Sequence, residues 1–415
     1  MRVSGFTFVR IGTMLGYPFM DPSSWATLRH RFDTASRWMA VATAFSLVVS
    51  TVLCTVTMVL LLAFWIASSH YREKLSQIQA RPLALCSLAL LTMLVIGVLY
   101  SVATLPQALN TLSSYRELLY LPLLLTAFDD QKWQRRGYYA FLIAMLLILT
   151  LSYAKFLGWL PLGPPGQEYT VFKGRIAHSL LMAYTIYLLA QHFVQEPRRR
   201  WLWGPLIALG LANLLFMISG RTGYLVFFAL TILFMYQHWH WRGVLLSGLL
   251  VVGVAMLAYH TSDPFQKRMG QMVSDLLTQD QPGTLTAGGL RLEFYANTLS
   301  LIARHPWLGG GTGSFVPEYA ELVQEKQLYP TNNPHNEFLL ITTQIGLVGL
   351  VLLLLLGYRQ WRLSYALRPE FIAAAQGLVV TLAVGSLFNS LLLDFTEGHF
   401  YACLTGIYYG SFNRK

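Results

Sequence analysis

The sequence predicts an all-α polytopic integral membrane protein with about twelve transmembrane helices and one large loop that itself contains helices. Three observations predict it. Of 415 residues, 55% are hydrophobic and 12% charged, which is too apolar for one water-soluble domain and marks lipid as the main solvent. Apolar runs able to cross, or nearly cross, about 30 Å of hydrocarbon recur along the chain. Basic residues cluster on alternate connections between those runs, as the positive-inside rule requires.

The runs lie near 38–68, 83–103, 117–128, 138–157, 179–194, 201–218, 222–238, 243–260, 336–357, 370–393 and 397–411. The first is too long for one helix, and a break at Ser50-Thr51 divides it into a short pair, giving twelve spans. The N-tail, alternate loops and C-tail then hold 20 of the 30 Lys and Arg, so both termini are expected in the cytoplasm. The expected division is a 1–37 cytoplasmic or interfacial tail, spans one to nine over 38–260, a loop over 261–335 on the far side, and spans ten to twelve over 336–415. Within the loop, helices are expected at 264–279 and at 290–304, where Leu290, Phe294, Leu301 and Ile302 form an apolar stripe. A loop of this length in a tightly connected chain is more often functional than ornamental.

The net charge of +11 is scattered between apolar runs, as membrane loops require, and does not indicate nucleic acid. Cys54, Cys86 and Cys403 sit singly within apolar runs and read as packing residues, without redox or metal spacing. No apolar stretch with a small-residue cleavage site stands in the first 37 residues, so no removable leader is expected. The middle of the spans is nearly free of ionisable side chains, which disfavours ion-coupled transport.

The unusual charges sit at the outer rim: Arg116, Lys173, Arg175, Arg221, Arg291 and His335. Arg221, in SGRTGY, either snorkels to headgroups or faces a cavity. Gly220 and Gly223 would allow backbone or ligand to approach it, and as the opening residue of a helix it would stand where free N–H groups favour an anion. Arg291 begins the loop helix with Tyr295 one turn on along the same face, and is either solvated, paired with a carboxylate or turned to an anion. GGGTG at 309–313 lacks the Lys-Ser/Thr of a phosphate loop and reads as a turn.

His335 stands in NNPHNEF, where polar residues give way to an apolar run. With a helix starting near it, capped by Asn333, Gly346 and Gly349 would fall within about 40° of its direction. The smooth stripe so formed would take a neighbouring helix or a long lipid tail. His335 itself is either an interfacial or capping residue, or a general base for an alcohol. One base and several arginines on one membrane face suit a reaction whose leaving group is a lipid diphosphate.

His335, Asn336, Gly346 and Gly349 in the pattern H-N-x9-G-x-x-G, SGRTGY at 219–224, and the Arg291 helix followed by HPWLGGGTGSF resemble the O-antigen ligases of Gram-negative bacteria. The resemblance implies a metal-independent, inverting, GT-C-like glycosyltransferase of the inner membrane with a periplasmic active site. It would transfer a polysaccharide from undecaprenyl diphosphate to a sugar hydroxyl of lipid A-core. It further implies His335 as base, with Arg221 and Arg291 on the diphosphate. Arg175, Asn336, Tyr295, Gly346 and Gly349 would contact substrate, and no cofactor is expected. Asp129-Asp130 falls opposite the arginines by the charge count, whereas Asp394, Glu397 and His399 share an outer turn that could bind an ion. Related readings are an O-antigen polymerase and an O-linked oligosaccharyltransferase; the latter often adds a region after the last spans, a pattern not expected here. A different class is a transporter or binding protein for lipid-linked glycan, in which His335 does no chemistry.

Overall fold

The structure, a computed structural model, describes residues 22–263, 265–267, 269–270, 273, 287–326 and 329–412. Every regular element among them is helical. The first two helices, α1 (Pro22–Val49) and α2 (Thr51–Ala67), meet at Ser50, whose extended backbone and side chain cap α2 by accepting from the Leu53 N–H. The expected break therefore stands where the sequence placed it. Beyond α2 the chain bends by 117° into the short amphipathic α3 (Tyr71–Gln79).

Next come α4 (Pro82–Leu99), α5 (Leu105–Ser114), α6 (Glu117–Ala127), α7 (Gln131–Phe156) and α8 (Arg175–Gln195). Helix α9 (Arg200–Ala212) runs into a π-turn at Asn213–Met217, and α10 (Arg221–Thr261) follows. The loop helices are α11 (Ala287–Arg304) and α12 (Phe315–Lys326); α13 (Glu337–Ser364), α14 (Pro369–Ser386) and α15 (Phe395–Tyr409) complete the chain. Among the described residues six helical stretches are long and apolar enough to cross a membrane, or seven with the bent α2–α3 pair. That makes a multi-pass membrane protein. The nominal α10 is two helices, because His240 leaves helical geometry at φ 52° and ψ −139°. The second half folds back on the first, bringing Phe265 against Tyr224 with ring centroids 5.0 Å apart, in agreement with the expected turn at 239–242.

Two ends of the bundle can be told apart from contacts alone. At one, the Tyr115 hydroxyl before α6 meets Glu337 at the start of α13, and the end of α4 receives Thr312 of the loop. At the other, Arg81 donates to the Gly410 carbonyl and Arg37 pairs with Asp129 at 2.7 Å. Asp129 therefore lies a full helix length of α6 from the His335 end, as the charge count anticipated.

The loop carries a small core of its own. Phe294 and Leu301 of the expected stripe are buried with Phe315, Tyr319, Leu322 and Leu340, so α11 and α12 lean together on the first turn of α13. Helix α12 was not expected from the sequence. The expected helix at 264–279 lies mostly outside the described residues. Cys54 and Cys403 are buried and Cys86 partly so, all three as free thiols.

Helix α13 departs most from expectation. It starts at Glu337 with Asn336 as its cap, rather than near His335 with Asn333 as cap. It is also broken at Ile345 and Gly346, where Gly346 adopts φ 66° and ψ −167°, a conformation open to glycine and costly for other residues. The break exposes helical backbone groups, and the segment from Pro306 through GGGTG satisfies them. Gly310 N–H donates to the Thr343 carbonyl at 2.9 Å, Gly311 N–H to Gln344 at 2.8 Å, and Leu347 N–H to Pro306 at 2.8 Å. Gly309, Gly311 and Gly313 all take positive φ, in keeping with a turn.

Candidate active site

The cleft begins with two helix N-termini. Arg175 is the first residue of α8 after Gly174, and Arg221 the first of α10 after Gly220. Glycine brings these ends together: a Cβ on Gly220 would strike the Ser179 side chain, and one on Gly223 would lie 2.7 Å from the Ser179 carbonyl carbon. Small residues at 220 and 223 thus serve the approach of α10 to α8. They place two guanidinium-bearing helix starts side by side. The Ser219 hydroxyl adds a tie to the Gly166 carbonyl at 3.1 Å, and Gln167 Oε1 accepts the Arg175 N–H at 3.3 Å.

Helix α11 supplies the third arginine and α13's leading loop the histidine. Arg175, Arg221, Arg291 and His335 line one cleft of about 270 Å³, with Ser219, Thr222 and Phe294 among its other walls. Among the described residues neither Arg175 nor Arg291 forms an ion pair with a carboxylate. Burial, then the like charges of Arg221 and Arg175, hold the Arg291 pKa below its ordinary value. Three cations, two of them at helix N-termini and two without a carboxylate partner among the described residues, could hold a polyanion.

His335 sits in the left-handed region at φ 56°, an uncommon conformation for a non-glycine residue and one that structure must enforce. Enforcement comes from several sides. Its N–H donates to Asn333 Oδ1 at 2.7 Å, its carbonyl accepts from the Tyr295 hydroxyl at 3.2 Å, and its ring tilts against Phe294 at 6.3 Å. Burial first, then the Arg291 charge, lowers the His335 pKa from its ordinary value. The imidazole is therefore neutral near pH 7 and able to accept a proton.

The other expected contacts fall differently. Tyr295 gives its hydroxyl to the His335 and Leu387 carbonyls, the latter at 2.6 Å. Asn336 caps α13 through Oδ1 and donates to the Leu387 carbonyl at 3.2 Å. Gly346 and Gly349 do not line the cleft: Gly346 lies against the Trp307 carbonyl, and Gly349 packs against Ile345 of its own broken helix. The later helix start and the break both interrupt the register that was to carry a smooth stripe down from His335. Arg116 and Lys173 instead lie over the Phe395 ring, at 5.0 and 5.9 Å. Among the described residues no group of three or more His, Cys, Asp or Glu is arranged to hold a metal ion. Asp394, Glu397 and His399 thus do not gather as a ligand set; His399 stacks on Phe395 at 4.1 Å.

Sequence reasoning missed the turn between α14 and α15. Ser390 Oγ donates to Asn333 Oδ1 at 2.7 Å, Asn389 Nδ2 donates to Thr222 Oγ1 at 2.7 Å, and Glu337 Oε2 accepts the Leu392 N–H at 2.9 Å. FNSLLLD carries no motif, and only the run of polar residues beside an apolar span hinted at buried hydrogen bonding.

The family model described as O-antigen ligase matches residues 205–354. Over that stretch, about a third of the chain, the sequence is similar to the O-antigen ligase family. No curated protein matches the sequence. The segment of the O-antigen ligase match runs from within α9 into the second half of α13, and so contains Arg221, Arg291 and His335. Arg175 and the α14–α15 turn lie outside it and join the site only through the fold.

Proposed function

We propose that this protein is an O-antigen ligase that transfers polysaccharide from undecaprenyl diphosphate to a sugar hydroxyl of lipid A-core at the periplasmic face of the inner membrane. The observation that carries this reading is the convergence of His335 and three arginines, from three helices and a loop, on one cleft. A donor diphosphate seated on Arg175, Arg221 and Arg291 has its leaving-group charge stabilised as the glycosidic bond breaks. Neutral His335 takes the proton from the acceptor hydroxyl as that oxygen attacks the anomeric carbon from the opposite side. One bond to the acceptor forms, the bond to diphosphate breaks, and undecaprenyl diphosphate leaves with both electrons.

One displacement inverts the anomeric configuration and needs no covalent glycosyl-enzyme. The nearest carboxylate in the chain, Glu337, is fully buried and accepts from Tyr115 and Leu392, so it is not free as a nucleophile. Arginine can neutralise diphosphate without a metal.

The test is transfer by purified protein in liposomes with polysaccharyl undecaprenyl diphosphate, lipid A-core acceptor and EDTA. A ladder of modified lipid A-core is the expected product. Longer donor chains with unmodified acceptor would make the protein a polymerase, and donor binding without any transfer would make it a binding protein.

A further inference from the structure

The turn between α14 and α15 touches both halves of the site while lining none of the cleft. One arm reaches the histidine. Ser390 Oγ donates to Asn333 Oδ1, the same oxygen that accepts the His335 N–H, each at 2.7 Å. The other arm reaches the arginines, since Asn389 Nδ2 donates at 2.7 Å to the hydroxyl of Thr222, the neighbour of Arg221 in the first turn of α10. Between them, the Leu387 carbonyl takes the hydroxyl of Tyr295, one turn beyond Arg291, and the side chain of Asn336. Glu337 fixes the far end by accepting the N–H groups of Leu392 and Leu393 at 2.9 and 3.4 Å.

Asn389 and Ser390 are almost fully buried, 2% and 1% exposed. Buried polar groups that are fully paired fix one arrangement of their neighbours, because any other arrangement strands a donor or acceptor. α10, α11 and the His335 loop are distant in sequence, and the turn contacts all three. We infer that residues 387–393 form a brace that sets the distance between the His335 imidazole and the arginine group, with Ser390 and Asn389 as its positioning residues. This rests on the reading of His335 as base and the arginines as diphosphate holders. The two arms are separable. Ser390 governs where the base stands, and Asn389 governs where the anion-binding helix start stands.

The division of labour is read by kinetics on the purified full chain in liposomes. Ser390→Ala is expected to lower kcat about 10-fold with donor KM unchanged, since a small misplacement of a catalytic group acts on the chemical step. Ser390→Thr, which keeps the hydroxyl, should restore most of the rate. Asn389→Leu is expected to raise donor KM about 5-fold and to lower kcat by less than Ser390→Ala does, since the arginines hold the diphosphate both before and during bond breaking. In a double-mutant cycle, adding Asn333→Ala to Ser390→Ala should cost little more than either alone. Identical falls in kcat for Ser390→Ala and Asn389→Leu, tracking lost thermal stability and not rescued by Ser390→Thr, would overturn the brace as a positioning device. Wild-type kinetics in both, with an inactive His335→Ala, would overturn the brace alone. An active His335→Ala would instead overturn the reading on which it rests.

Discussion

Two glycine-bearing segments face the same end of the bundle and do different things. In SGRTG at 219–223, glycines let α10 meet α8 at Ser179, and the residue between them is an arginine at a helix start that faces the cleft. In GGGTG at 309–313, glycines let a loop hydrogen-bond into the broken turn of α13, and the contacts are backbone to backbone. The first segment turns a charge toward the cleft; the second holds the helix that His335 precedes. Glycine in both permits close approach, so the chemistry is decided by what accompanies it: a guanidinium in one case, only amides in the other.

Removing the charge should hurt most. The double variant Arg221→Ala with Arg291→Ala is expected to lose about 10³-fold in kcat/KM for the donor, as two charge-assisted contacts of about 1.5–3 kcal/mol each would predict. Its thermal stability should hardly change, and a loss below 10-fold, measured by initial rates, would break the contrast from the cleft side. Gly346→Ala attacks the other segment. Its Cβ would strike the Trp307 carbonyl in a conformation strained for alanine, so a destabilisation of about 1–3 kcal/mol is expected in a thermal or denaturant melt. An unchanged melting temperature would mean that the loop does not hold the break.

Both segments are glycine-rich in the sequence, and only the arginine tells them apart before the fold is seen. The Ser50 break, the turn at 239–242 and the amphipathic α11 were legible because apolar periodicity and run length report local structure directly. His335, Arg221 and Arg291 were legible because charge at a membrane rim is conspicuous against an apolar background. The break at Gly346 was not, because the signal sits in the partner loop some thirty residues away and α13 reads as one uninterrupted apolar helix. Nor was the α14–α15 turn, whose Asn389 and Ser390 act on residues more than fifty positions distant. Arg175 was visible as a charge, but its place beside Arg221 depends on glycine contacts with Ser179 that no spacing rule reveals.

A finer test of the cleft uses charge-preserving substitution. Arg291→Lys keeps one positive charge and loses the forked donor, so a fall of about 10-fold in kcat/KM is expected, well short of the double alanine variant. Wild-type rates would mean that Arg291 acts as a point charge only.

The smallest effect is a shift along the pH axis. With the His335 pKa below its ordinary value in the empty cleft, kcat/KM should hold to mildly acidic pH and fall only as pH drops through that lowered value, because protonation removes the base. Bound diphosphate places negative charge beside the imidazole and favours its protonated form. The acid limb of kcat, which reports the enzyme–donor complex, should therefore lie at higher pH than that of kcat/KM. The opposite order would mean that the diphosphate does not sit beside His335.

The most direct measurement is single-turnover transfer by purified wild type and His335→Ala in liposomes, with saturating donor, lipid A-core acceptor and EDTA. Donor binding is followed in parallel. A general base in this place predicts a loss of about 10²–10⁴-fold in transfer rate with donor affinity retained. Equal rates in the two proteins would contradict it and leave the arginine cleft as a binding site whose chemistry lies elsewhere.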